Sequence, residues 1–364
     1  MRVLHVIARL NVGGTARYIT QLANELPKHG IETFVATGFV QGSEVEDPSA
    51  QSIELIRIPA MGRSIRPIKD HLARKQLDKI IQEVKPDIIH SHTFKAGYVI
   101  RMKKQPVPVV HTFHGHLLDD PEFSGFKSKV IIEVERMLAK KAVRLVTVGR
   151  RVAKELLEQR IGHKDQYINI PPGVVALNIT PRTEALKNLG LADNGQPIIG
   201  WIARVTGVKN PMLVLEVADS MPDTHFVMAG GGEMVDAIRR SAPSNLKVVG
   251  WQKKEDMWAI ADIALCTSDS EGMPLSLIEA QLSGIPVVST SVGSVNEIVV
   301  DGVTGKLGKS DNDLIAGLKW AVAAQKTLVK RSALKRKIKS LAHQKFEKKT
   351  MATAHRELYR KLGV

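Results

Sequence analysis

An α/β protein built from two doubly wound domains is the fold class this sequence predicts, and three observations carry it. Short apolar runs rich in β-branched residues alternate with helix-period segments along the chain, the pattern of parallel strands joined by crossover helices. The alternation breaks once, at Pro171-Pro172-Gly173, and then restarts. Aromatic residues are only 4% of the 364 residues while 43% are hydrophobic, so Val, Ile, Leu and Ala must fill the core.

In the first half the strand-like runs are 3–8, 33–38, 53–58, 87–92, 107–113, 144–149 and 167–170. Ile19, Leu22, Ala23 and Leu26 recur at i, i+3, i+4 and i+7, which predicts an amphipathic helix over 15–29 that stops near Gly30. Residues 174–196 have little periodicity and several turn formers, so they read as a linker. Strand-like runs resume at 198–203, 225–229, 246–249, 263–267 and 286–290, with helical segments between them. The organisation expected is a domain over 1–173, the linker 174–196, a second domain over 197–340, and a helix over 341–364 that crosses back to the first. Doubly wound sheets bind ligands at the carboxyl ends of their strands, so functional residues should lie just after strands, around a cleft between the domains.

Charge and cysteine usage narrow the function classes. Lys and Arg number 52 against 37 Asp and Glu, a net charge of +15. Residues 326–361 hold thirteen of the bases against Glu347 and Glu357, and 57–79 hold seven against Asp70 and Asp78. Such fields attract polyanions, whether nucleic acid, acidic lipid or phosphorylated substrate. The basic tail has few aromatics for base stacking and no zinc-finger, cold-shock or RNP-like motif, so no nucleic acid is expected. A single cysteine, Cys266, closes no intramolecular disulfide and points to a reducing compartment. No run approaches a membrane span, and residues 1–10 lead into Asn11-Val12-Gly13-Gly14 without a cleavage site. A cytoplasmic protein is expected, with its basic segments drawn to the inner face of the cell membrane.

Several motifs fall just after predicted strands. Gly13-Gly14 follows the first run and opens a helix, where backbone N–H groups can face a ligand. By itself the pair is equally a tight turn. The segment Ser270-Glu271-Gly272-Met273-Pro274-Leu275 runs on to Glu279-Ala280, with one carboxylate in the loop and the other about two turns along a helix. The two could grip different parts of one extended ligand, with the helix's first N–H groups suited to phosphate between them. Without context, both glutamates read equally as ordinary helical charges.

The Glu271-x7-Glu279 arrangement resembles the signature of family 4 glycosyltransferases, retaining enzymes of the GT-B fold. Gly13-Gly14, Pro86-Asp87-Ile88-Ile89-His90-Ser91-His92, Arg204-x4-Lys209, Gly230-Gly231-Gly232 and the Gly293-to-Gly305 run also resemble that family's motifs, in order. The stretch Val110-His111-Thr112-Phe113-His114-Gly115-His116, with Glu135-Arg136, looks closest to members that build bacterial surface polysaccharides. The resemblance implies that Arg204 and Lys209 meet the nucleotide diphosphate, Glu279 the ribose, and Glu271 the donor sugar, with the backbone of Gly272, Met273, Pro274 and Leu275 facing phosphate and Gly13 and Gly14 beside the donor. It implies that His114 lies near the reaction centre and that Arg17, His92 and His116 face the acceptor, a glycan or lipid-linked hydroxyl. His90 and His111 alternate into strands and read as packing residues.

Paired cations stabilise a departing nucleoside diphosphate without a metal, so none is expected, and no cofactor beyond the nucleotide sugar, a UDP-sugar, as substrate. Departures from the pattern are Gly149 for a usual serine, Asn210 for a frequent glycine, Asn296 for proline and Met273 for an aromatic residue. A phosphorylase or a nucleotide-sugar epimerase on the same fold is the alternative function.

Overall fold

Parallel strand pairing organises both halves of the chain. The computed structural model describes residues 1–42, 44–115 and 126–363, and the chain divides into one unit of Met1–Val174 with Phe346–Val364 and another of Val175–Lys345.

In chain order the first unit holds β1 (Arg2–Ile7), α1 (Gly14–Glu25), β2 (Glu32–Thr37), β3 (Leu55–Arg57), α2 (Pro67–Val84), β4 (Ile88–His92), α3 (Thr93–Arg101), β5 (Val109–Phe113), α4 (Phe126–Ala139), β6 (Arg144–Thr147), α5 (Arg150–Glu158) and β7 (Tyr167–Asn169). The strands form one parallel sheet in the order β3-β2-β1-β4-β5-β6-β7. The order reverses direction between β1 and β4, where Val3 pairs with Thr33 on one side and Ile88 on the other. Both central strands are buried throughout or nearly so, which is why their apolar residues do not alternate with exposed polar ones and why the polar residues they carry, His5, His90, Ser91 and His92, are buried as well.

The second unit follows with α6 (Arg182–Asn188), β8 (Ile198–Ile202), α7 (Pro211–Asp219), β9 (His225–Ala229), α8 (Val235–Ser241), β10 (Leu246–Gly250), α9 (Lys254–Ile260), β11 (Ile263–Cys266), α10 (Leu275–Leu282), β12 (Val287–Thr290), β13 (Gly305–Gly308), α11 (Asp311–Ala323) and α12 (Leu328–Phe346). Its parallel sheet runs β10-β9-β8-β11-β12-β13, reversing between β8 and β11. Ile199, Trp201, Val214, Phe226, Leu265 and Leu314 are among the buried residues of its core. A last helix, α13 (Lys348–Arg360), packs on the first unit, where its His355 and Tyr359 are fully buried.

Three differences from the sequence reading have local causes. The helix expected over 15–29 is α-helical only to Glu25, and its last turn, Leu26–His29, is a 3-10 turn. Pro27 has no N–H to give the carbonyl of Ala23, which accepts the Thr33 hydroxyl instead at 3.0 Å. Gly30 ends the turn at a left-handed φ of 77°. The stretch read as a linker contains α6, whose Ala185 and Leu186 are buried with Met257 and Ile260. Strand β13 was not expected, and it pairs with β12 through backbone alone at the sheet edge.

Behind the first sheet, Arg101 of α3 and Glu135 of α4 form an ion pair at 2.6 Å with both side chains at 0% exposure. The Gly97 backbone leaves room for that guanidinium, since a Cβ there would lie 2.5 Å from it. Burial pushes the Glu135 carboxyl up against the opposing pull of Arg101. Removing one partner strands the other in the core, so Arg101→Met should cost about 3–5 kcal/mol in urea denaturation. Adding Glu135→Leu to it should restore most of that loss.

Candidate active site

In the second unit, the site forms at the carboxyl ends of β8 and β11, where the strand order reverses and the crossovers leave in opposite directions. The loop after β8 carries Arg204 and Lys209. Its Val205 N–H donates to Gly231 O at 2.9 Å, and a Cβ on Gly230 would lie 1.8 Å from the Ala203 carbonyl, so the triglycine lets the loop after β9 lie flat against it. The loop after β11 is stitched to the same segment. Asp269 N–H donates to Val208 O at 2.9 Å, the Thr267 hydroxyl to Lys209 O at 3.0 Å, and the Asn210 amide to Asp269 Oδ1 at 3.0 Å.

These bonds place Lys209 Nζ 2.6 Å from Glu271 Oε1, and the Ser268 hydroxyl donates to the same oxygen at 2.7 Å. Both side chains keep partial access to solvent, 18% and 12%. Gly293 backs Glu271 directly: its φ is 51°, and a Cβ there would lie 1.5 Å from the Glu271 carbonyl oxygen. Ser294 N–H donates to Gly272 O at 2.9 Å and the Thr290 hydroxyl to Ser268 O at 2.6 Å, so the loop after β12 holds the glutamate loop from behind. Asn210 accounts for its own departure from glycine. It sits at a left-handed φ of 46°, which asparagine tolerates, and its side chain caps α7 by accepting from Leu213 N–H at 3.3 Å.

The glutamate loop then enters α10, with Met273 and Pro274 buried and Gly272 and Leu275 half-buried. The first N–H groups of α10 have no carbonyl within the helix to receive them, and its dipole favours an anion there. Glu279, further along α10, is 2% exposed and held by Lys254 Nζ at 2.7 and 2.5 Å. It does not join the Lys209–Glu271 pair. Arg204 is exposed, and its guanidinium has no ion-pair partner among the described residues. Lys254 is absent from the sequence reading; the only signal for it is a lysine pair opening the helix after β10. The arrangement offers cationic donors and free amides for a phosphate, and a carboxylate acceptor for sugar hydroxyls.

The first unit brings a second set together. Gly13, at the N-terminal end of α1, has its N–H on Asp47 Oδ2 at 3.2 Å, and Gly14 is the first residue of the helix. The buried Asp47 also lies 3.8 Å from the Arg17 guanidinium. Asp47 was not singled out in the sequence because it follows no strand. His92 is expected at the acceptor but is fully buried, with His5 on one ring nitrogen at 3.1 Å and His114 on the other at 3.2 Å. Its burial fits support of His114 and not direct contact with an acceptor. His114 is half-buried, edge-on to Tyr18. His116 lies outside the described residues.

His90 and His111 are buried packing residues that also bond: His90 to Tyr359 and Thr112 at 2.6 Å each, His111 to Ser91 at 2.9 Å. Ligand atoms of His5, His90 and His92 lie within 4.8 Å of one another, a spacing that a metal could bridge only by displacing the hydrogen bonds these rings make. His90 and His92 already have both ring nitrogens engaged in hydrogen bonds. Burial, reinforced by His355, lowers His5 and His114 to about 3, and burial takes His355 to about 4. Burial and neighbouring rings hold His90 and His92 well below the usual imidazole range, and burial with the nearby Arg101 charge does the same to His111.

A glycosyltransferase of the two-domain GT-B class is what these sheets and strand-end loops define. The chain belongs to the family 4 glycosyltransferases: residues 12–176 match the family model described as Glycosyltransferase Family 4, and residues 183–341 the model described as Glycosyl transferases group 1. Among its relatives is the UDP-Gal:alpha-D-GlcNAc-diphosphoundecaprenol alpha-1,3-galactosyltransferase of Escherichia coli, 26% identical over 333 residues that cover 84% of each chain. A D-inositol 3-phosphate glycosyltransferase of Mycobacterium sp. (strain KMS) is 28% identical over 252 residues, 61% of this chain and 55% of that protein, so the match spans about half of the relative. In fold, the chain is similar to the Anabaena protein Alr3699/HepE, solved in complex with UDP-glucose, with a TM-score of 0.79 at 17% identity over 99% of this chain and 100% of that one.

Six histidines that are neutral when folded become protonated when unfolded in mild acid. The folded values lie below the unfolded one, so the stability they confer is full above about pH 6.5 and is lost as pH falls through about 4 toward about 3. Melting temperature should therefore fall over that window, each group contributing up to about 1.4 kcal/mol per pH unit. His355→Phe should flatten the slope in scanning calorimetry.

Proposed function

We propose that the protein transfers a sugar from a UDP-sugar to a hydroxyl of a glycan or lipid-linked acceptor in polysaccharide biosynthesis, with retention at the anomeric carbon and without a metal. The carrying observation is the Lys209–Glu271 pair at 2.6 Å, built from loops on either side of the switch point beside the N-terminus of α10. Lys209, Arg204 and the backbone from Gly272 to Leu275 receive the diphosphate, and the charge that develops as it leaves is what they stabilise. Glu271 orients donor-sugar hydroxyls. Glu279 meets the ribose with Lys254 beside it. The first unit contributes Gly13 and Gly14 beside the donor, His114 at the reaction centre and Arg17 toward the acceptor. The name of the Escherichia coli relative, with its UDP-galactose donor and diphosphoundecaprenol-linked acceptor, supports both substrate classes.

Purified protein incubated with a panel of nucleotide sugars, with and without a membrane-lipid extract, should consume a UDP-sugar only when acceptor is present. Consumption with free phosphate alone, or epimerisation without acceptor, would replace transfer by one of the other reactions of this fold. Glu271→Ala should lower kcat by about a hundredfold or more, and Arg204→Ala should lower kcat/KM by a similar factor. Near wild-type transfer by either variant would remove these assignments.

We also propose that the protein docks on an anionic membrane surface. No described helix is long and apolar enough to cross a membrane. Exposed cations run along α12, the segment from which this docking was expected. In the first unit, Ile65, Ile68 and Leu72 are 40%, 80% and 47% exposed at the start of α2, among the exposed Arg63, Arg66, Lys69 and Lys75. Apolar side chains between cations suit the headgroup boundary, at about 1 kcal/mol for each base near the surface. Sedimentation with phosphatidylglycerol vesicles should be salt-reversible and should weaken more than about tenfold in Arg66→Glu with Lys69→Glu. Absence of binding at low salt would end this reading.

A further inference from the structure

The His5–His92–His114 chain has a direction. His5 Nδ1 lies 3.1 Å from His92 Nε2, and His92 Nδ1 lies 3.2 Å from His114 Nε2. Burial and neighbouring rings keep all three imidazoles neutral near pH 7. A neutral imidazole carries one N–H and one bare nitrogen, so both contacts are satisfied in only two ways.

In the first, the protons point inward: His114 donates from Nε2 to His92, and His92 donates from Nε2 to His5. His5 must then carry its own proton on Nε2, which is buried without a hydrogen-bond partner. In the second, the protons point outward from His5 through His92 to His114, and the unpartnered His5 Nε2 is a bare lone pair. Buried N–H groups without acceptors are rarer than under-satisfied acceptors, so the outward arrangement wins. The neighbouring rings do not compete for these protons. His90 is engaged by Tyr359 and Thr112, and His355 by Tyr18 and the Met351 carbonyl.

We infer that His92 and His5 are positioning residues that fix His114 as the tautomer with its proton on Nδ1, so that His114 offers a hydrogen-bond donor to an oxygen of the sugar nucleotide. This rests on the placement of His114 at the reaction centre proposed above. It gives the imidazole a definite role: donor at Nδ1, with Nε2 occupied by the N–H of His92, so that neither nitrogen is free to act as a base. It also assigns a task to His5, which lies in β1 and comes no nearer to His114 than the intervening ring.

The full-length protein with isotope-labelled histidine, without substrate, should show His114 protonated at Nδ1 in long-range proton–nitrogen correlation spectra, its signals identified by their loss in His114→Ala. Protonation at Nε2 would overturn the inference, and this measurement decides it even if the buried variants fail to fold. In His92→Phe, the His114 signals should move toward the other tautomer, and kcat for the UDP-sugar used should fall about tenfold with KM unchanged. His92→Gln, whose amide can donate to His114, should recover part of kcat. An unchanged tautomer together with unchanged kcat in His92→Phe would also overturn the inference. Undiminished transfer by His114→Ala would instead overturn the placement of His114 in the reaction, and the substrate-free spectra keep the two failures apart.

Discussion

The divergence of crossovers between β8 and β11 is the constraint on which the site depends. Parallel strands deliver all their outgoing loops to one edge of the sheet, and where neighbouring connections turn to opposite faces, the loops cannot cover each other. The gap has to be lined by whatever the two loops carry. Here it is lined by Lys209 and Glu271, and three bonds hold the two segments in register: Asp269 on Val208, Thr267 on Lys209, Asn210 on Asp269. The glycines follow from the same demand. Gly230 and Gly293 stand where backbone passes backbone too closely for any side chain.

How much of this is legible in the sequence depends on whether the signal lies in side chains or in space. Buried parallel strands favour short runs rich in Val, Ile, Leu and Ala, so β1, β8 and β11 can be read directly, and β4 from the Ile88-Ile89 pair that opens it. Strand β13 cannot, because Gly305-Lys306-Leu307-Gly308 has no such run and is strand only because β12 offers a free edge. Helix α6 is too short to show its period, and it is the contact with α9 that makes Ala185 and Leu186 core residues. The paired roles are equally hidden. Glu271 and Glu279 stand out at a fixed spacing, but their partners Lys209 and Lys254 are chosen by the fold, which sends the two carboxylates to different lysines.

Histidines in the first unit mark a different limit. Their number and position after strands single them out, but sequence gives no means to separate those that line a surface from those that fill a core. His92 and His114 are two strands' ends apart in the chain and adjacent in space, and one is fully buried while the other reaches solvent. Alternation along a strand sorts His90 correctly toward packing, yet in a sheet covered on both faces it has no outward side to which His92 could be assigned.

Helix α13 closes the first unit with residues that are translated only after all of Val175–Lys345. On the ribosome, at about 5–20 residues per second, the first sheet must persist for on the order of ten seconds or more with the seats of His355 and Tyr359 unfilled. During that interval the rings of His90 and Tyr18 lack their later partners. The nascent first unit is therefore the more vulnerable half, and its completion waits on the synthesis of its neighbour.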